Sequence, residues 1–299
     1  MTLVAAWVRH HRATSELYVA SDSRLNGGRA WDIGTKVLDL GRGDSVIAFA
    51  GATADAYPLM LQLQSAVIMH PKLASRAYDL TDLKGHVLRI FNAMWRSISS
   101  LPRGQQVPDP AGARFILAGY SWRCESFKIW SISFQKQANE FRFKEASSHV
   151  KKGGGNKYFM FIGDDSGLTN ERVYEILRER KRIKSAGLVM EPFEVLVEFI
   201  RDDKRPSIGG SPQIYKIYKH LNTLPYNVYW PSRAAGQVAF GGRQLLAYER
   251  NRFLAFDPDS FDVSETDWPS DSQSGVEQES LDVEQGNQVD GITSGKPAV

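Results

Sequence analysis

The chain has 299 residues, of which 42% are apolar and one is cysteine. That is enough for a sizeable core in one large domain or two small ones, and no run approaches the ~18 uninterrupted apolar residues of a membrane span. Lone Cys124 excludes an internal disulfide and a cysteine zinc cluster and fits a reducing cytoplasm. The net charge of +3 hides an asymmetry, because residues 257–299 carry eleven acids and one base (−10), leaving 36 bases and 23 acids (+13) in residues 1–256.

The chain opens MTLVAAWVRH, with Thr2 directly behind Met1 and an apolar run starting at once. Two residues are too few for the charged and apolar regions of a signal peptide. LVAAWV and SELYVASDSR, separated by the polar HHRAT, predict a hairpin, and VLDLG and SVIAFAG predict a second across RGDS. Residues 54–69 are rich in Ala and Leu and predict a helix. In TDLKGHVLRIFNAMWRSISS, Leu83, Val87, Ile90, Phe91, Met94 and Trp95 recur near the spacing of one helix face, and Thr81 and Asp82 offer caps.

Strands return in RFILAGYS, SFKIWSISF, EFRFKEAS and KYFMFIG. TNERVYEILRERKRI, with Thr169 as a simple N-cap, and PFEVLVEFIR read as helices. QIYKIYKH, YNVYWP, QVAFGG and RQLLAYER read as strands. Strands, two helices, strands, two helices, strands is an α+β order. It predicts two antiparallel sheets packed face to face with helices outside, an αββα sandwich. The folded unit is expected over residues 1–256. The Ser-, Asp-, Glu-, Gln- and Gly-rich segment 257–299 is expected to be a disordered acidic tail, with Trp268 its one large anchor.

Thr2 raises the chemical question. A Thr hydroxyl is a weak nucleophile unless a base stands beside it. Once Met1 is removed, Thr2 would carry its own base, an α-amino group of ordinary pKa about 7.7–8.0. Asp22 and Arg24 follow at the end of the second strand, Lys36 opens the third, and Gly51 sits at a strand-to-helix junction. Singly, each has a plain structural role: a turn carboxylate, a surface lysine, a helix-entry glycine. Together, behind Thr2 and in this order, they resemble the proteasome β-type subunits and their bacterial relatives among the N-terminal nucleophile hydrolases. YFMFIGDDSG and SIGGSPQIYKI look like later glycine- and serine-rich segments of the same fold, and the similarity covers roughly residues 2–220.

The resemblance implies that Thr2 is the nucleophile, Lys36 the cation beside it, Asp22 the partner of Lys36, and Gly51 an oxyanion-hole donor. It implies that Asp164 takes the place of a Ser that follows the glycine near the nucleophile. Asp203 (or Asp202) and Ser207 would form a second supporting site. The implied activity is a threonine-type hydrolysis of peptides or small amides, without cofactor or metal, in a homo-oligomeric ring packed through helices 54–69 and 80–99. The rival is a non-catalytic scaffold or recognition subunit that keeps Met1. A basic partner of nucleic acid comes third, since no nucleic-acid module accompanies the charge.

Other features carry less. His10 and His11 sit in a turn that suits exposed imidazoles, and the six histidines show no metal-ligand spacing. KKGGGNK lacks the Gly-Lys-Ser/Thr ending of a phosphate cradle and reads as a turn. RERKRIK suits a helix C-terminus. Tyr215, Tyr218, Tyr226, Tyr229 and Trp230 fit strand packing.

Overall fold

A computed structural model describes residues 2–268, apart from 12, 13, 28, 102 and 150–155. KKGGG and the tail beyond Trp268 therefore lie outside the described residues.

Among the described residues, eleven strands form the two main sheets: β1 Leu3–His11, β2 Thr14–Ser21, β3 Val37–Asp39, β4 Ser45–Gly51, β5 Ala113–Ser121, β6 Ser126–Gln135, β7 Glu140–Glu145, β8 Ser148–His149, β9 Lys157–Gly163, β10 Gln213–Tyr218 and β11 Asn222–Pro225. The first sheet runs β8-β9-β1-β2-β10-β11 and the second β3-β4-β5-β6-β7. All their pairings are antiparallel. Both predicted hairpins form, β1 with β2 and β3 with β4. The main helices are α1 Thr53–Met69, α2 Leu80–Arg96, α3 Ser166–Glu179 and α4 Glu191–Ile200.

The two-residue period of β1 explains its place. Leu3, Ala5 and Trp7 join Tyr18 of β2, Val173 and Leu177 of α3 and Phe193 and Leu196 of α4 in one buried cluster. Val4, Ala6 and Val8 join Val19 of β2 and Val46, Ala48, Ala50, Ile116 and Ile129 of the second sheet in another. A strand buried on both faces reads as an unbroken apolar run. On the other face of the second sheet, Phe49 and Phe115 cluster with Leu63 and Val67 of α1 and Leu83 and Val87 of α2.

Helix ends differ from the sequence expectation. The N-cap of α2 is Asp79, whose carboxylate accepts Thr81 N–H at 2.9 Å, while Asp82 returns a bond to the Asp79 N–H at 3.0 Å. Asp79 also accepts the Ser121 hydroxyl (2.8 Å) and Arg123 N–H (3.2 Å), so the cap ties the helix to the end of β5. Thr169 is not a cap but lies inside α3, donating its hydroxyl to Ser166 O; the helix starts from Asp165 at φ 54°.

The boundary expected at residue 256 also moves. A third sheet contains β12 Asn227–Tyr229, β13 Val238–Phe240, β14 Arg243–Gln244, β15 Ala255–Phe256 and β16 Val263–Ser264, ordered β14-β13-β12-β15-β16. Residues 263–264 thus pair within the fold. Tyr229 Oη accepts Asp267 N–H at 2.9 Å, and Trp268 packs on Tyr229, Val238 and Ala255. The two-residue strands Ala255–Phe256 and Val263–Ser264 are too short to leave an alternating signature in the sequence.

Candidate active site

Three segments converge at the start of β1. The β1–β2 register sets Val4 opposite Ser21, so the carboxylate of Asp22, just past β2, lies beside the first residues of β1. Lys36, just before β3, is locked by its own N–H, which donates to Gln213 Oε1 at 3.0 Å. The β1–β9 register sets Leu3 opposite Gly163, and Asp164 N–H donates to Thr2 O at 2.9 Å.

The Lys36 ammonium reaches Thr2 Oγ1 at 2.7 Å, Asp22 Oδ1 at 2.9 Å and the carbonyl oxygen of Arg24. Thr2 is 2% exposed, and Asp22 and Lys36 are fully buried. Asp22 is saturated: Oδ1 accepts Leu3 N–H (3.1 Å) besides Lys36, and Oδ2 accepts the N–H groups of Arg24 and Gly209, both at 3.2 Å. Burial pushes the Asp22 carboxyl up and the Lys36 ammonium down, and their mutual attraction opposes both shifts. Three oxygens converge on Nζ. An ammonium has three donors for them; a neutral amine has two, with its lone pair open to the Thr2 hydroxyl proton. Lys36 is therefore placed to bond Thr2 Oγ1 in either protonation state.

Gly51 ends β4 at φ 105°, Gly163 ends β9 at φ 109°, and both are closely approached by backbone. A Cβ on Gly51 would meet Gly112 O at 2.1 Å, so only glycine fits that turn. Gly51, Gly112, Gly163, Ala50, Arg114 and Asp164 line a cavity of about 220 Å³. Asp164 Oδ2 is shielded from solvent and accepts no hydrogen bond among the described residues.

Thr2, Asp22, Lys36 and Asp164 thus come together, with Gly51 and Asp164 on one cavity. The second supporting site differs from expectation. Asp203 is exposed, Asp202 caps its own turn through Lys204 N–H (3.0 Å), and Ser207 accepts Asn26 Nδ2 through its carbonyl oxygen (3.1 Å). Main chain carries this segment's bond to Asp22, through Gly209 N–H. His10, expected in a turn, lies near the end of β1 opposite Ser15 of β2 and bonds its Oγ through Nδ1 at 2.8 Å.

Sequence reading missed Gln213. Its Oε1 accepts from Lys36 and Val37 N–H, and its Nε2 donates to Gly34 O (2.7 Å) and Asp22 O (3.4 Å). One buried amide thus splints the two strand ends that carry the ion pair. A lone Gln opening a strand gives no signal for this role.

No protein-family model matches the chain, and no curated protein matches it. Among the described residues, no helix is long and apolar enough to cross a membrane, and no group of three or more His, Cys, Asp or Glu is placed to hold a metal ion.

Proposed function

We propose that the chain is a threonine-type amide-bond hydrolase of the N-terminal nucleophile class, on a four-layer αββα arrangement of the two main sheets and their helices. The observation that carries the reading is the Lys36 ammonium 2.7 Å from Thr2 Oγ1, itself held by buried Asp22. A structural lysine has no need of a fully buried position against a Thr hydroxyl, since desolvating a charge is costly.

In the proposed reaction, removal of Met1 frees the Thr2 α-amine. The amine takes the hydroxyl proton, directly or through water, while Lys36 stabilises charge growing on Oγ1. Oγ1 attacks the carbonyl carbon of a peptide or small amide. The resulting oxyanion faces the Gly51 N–H; a lost donor of this kind costs about 2.7–4 kcal/mol of barrier. Collapse expels the amine, which takes the proton from the α-ammonium, and leaves an ester on Thr2. Water then attacks the ester, releasing the acid and restoring the hydroxyl. The Asp164 carboxylate, beside Thr2 across the β1–β9 pair, faces the freed amine and holds its ammonium form. Assembly into a homo-oligomeric ring belongs to the same proposal, supported by the exposed apolar side chains Leu61, Ile68 and Met69 on α1.

The test is intact-mass measurement of the purified protein before and after an electrophile directed at N-terminal threonine. Loss of one Met and a single adduct on the wild type, absent from Thr2→Ala, support the hydrolase. Retained Met1 with no adduct favours a non-catalytic subunit.

A further inference from the structure

On the hydrolase reading, Arg114 names the substrate's chemistry. Arg114 pairs with Ala50 in the β4–β5 ladder. Along β5 it shares a face with Ile116 and Ala118, which point between the sheets. The guanidinium therefore sits at the open end of that layer, one residue from Gly51. It is exposed and has no ion-pair or hydrogen-bond partner among the described residues.

Arg114 also lines a second cavity of about 510 Å³, which continues along β6, β7 and β9 past Ser131, Ser133, Lys144 and Asn170. Glu145 lies on this cavity too, but its charge is matched by Lys128 at 2.9 Å. Lys144 has no ion pair among the described residues. On the inner cavity, Asp164 turns one carboxylate oxygen away from solvent, beside Thr2. Two cations without an ion pair among the described residues, Arg114 inside and Lys144 outside, therefore face a groove whose lining mixes hydroxyls and amides (Ser131, Ser133, Asn170) with apolar side chains such as Phe134 and Met160. A guanidinium with open donors is shaped for bidentate binding of a carboxylate.

We propose that this groove receives the acidic side chain of a peptide acyl donor, with Arg114 as the carboxylate-binding residue and Lys144 as the outer cation. Peptides with Glu or Asp near the scissile bond are then preferred over neutral or basic ones.

The experiment uses full-length Thr2→Ala protein, so that binding is read without turnover. Three labelled peptides differ only in carrying Glu, Gln or Lys at one position, and anisotropy gives their affinities. The Glu peptide is expected to bind about ten- to a hundredfold tighter than the Gln peptide, with the preference weakening as salt rises. Arg114→Glu should abolish or reverse the order, Arg114→Gln should flatten it, and Lys144→Gln should reduce it less. Equal affinities in the parent overturn the inference, as does an order untouched by Arg114→Gln in protein with an unchanged melting temperature. A Glu preference in protein whose Thr2 takes no electrophile keeps the groove and removes the hydrolase. Labelling without the preference does the reverse.

Discussion

A Cβ placed on Gly163 would lie 1.8 Å from the carbonyl oxygen of Thr2. The backbone of β9 thus presses against the first residue of β1, and φ 109° at Gly163 permits it. Gly163→Ala must push that carbonyl aside in a conformation L residues avoid, at a cost of at least about 2 kcal/mol. A urea titration will show the lowered midpoint, and Thr2 labelling will be lost even in the folded fraction. Gly85, inside α2, has nothing within 4 Å of its Cβ position. There Gly85→Ala should raise stability by about 0.5–1 kcal/mol.

Lys36→Met removes the one cation bonded to buried Asp22 among the described residues. An uncompensated buried charge typically costs about 3–5 kcal/mol, so the thermal midpoint should fall by many degrees. Labelling of Thr2 should drop about a hundredfold or more relative to wild type at equal folded fraction. The double variant Lys36→Met with Asp22→Asn should recover part of the stability and none of the labelling. That split separates the lysine's role in folding from its role beside the hydroxyl.

The pH profile of labelling tests Asp164. A carboxylate next to the freed amine would favour its ammonium form, against the Lys36 ammonium beside Thr2, which favours the neutral amine. Labelling should therefore rise with pH, and Asp164→Asn should move that rise to lower pH. An unmoved profile would take Asp164 away from the amine.

Asp79 gives a stability prediction independent of function. Burial alone pushes its carboxyl up, but bonds from the Thr81 N–H and hydroxyl, the Ser121 hydroxyl and Arg123 N–H bring it below the ordinary range. A carboxyl held lower in the folded state stabilises fully above its unfolded pKa of about 3.9, and loses that contribution as pH falls through the folded value. Asp79→Asn should cost about 1–2 kcal/mol at pH 7. The gap to wild type in denaturant midpoint should shrink at pH 3.

The sequence was legible where one residue's chemistry or period decides its place. The two hairpins, the strand of KYFMFIG and the burial of Leu83, Val87, Phe91 and Trp95 on α2 follow from apolar spacing. Thr2, Asp22 and Lys36 were legible as a set only through their order behind the chain start and the family resemblance that order carries. What stayed hidden depends on partners remote in sequence. RGDS reads as an exposed turn, yet Arg42 and Asp44 form a fully buried pair at 2.8 Å, with Arg42 also donating to Leu73 O and Tyr78 O. Gln213 splints segments some 180 positions away. The Asp79 cap gains two of its bonds from β5 and the turn beyond it, so local spacing favoured Thr81.

The strand containing Trp7 starts one position after Thr2, in the interior of a six-stranded sheet, leaving no slack between candidate nucleophile and core. An affinity tag fused ahead of Met1 would keep the Thr2 nitrogen as an amide while leaving the fold free to form. On the hydrolase reading, preparations for activity screens should therefore carry their handle at the C-terminus.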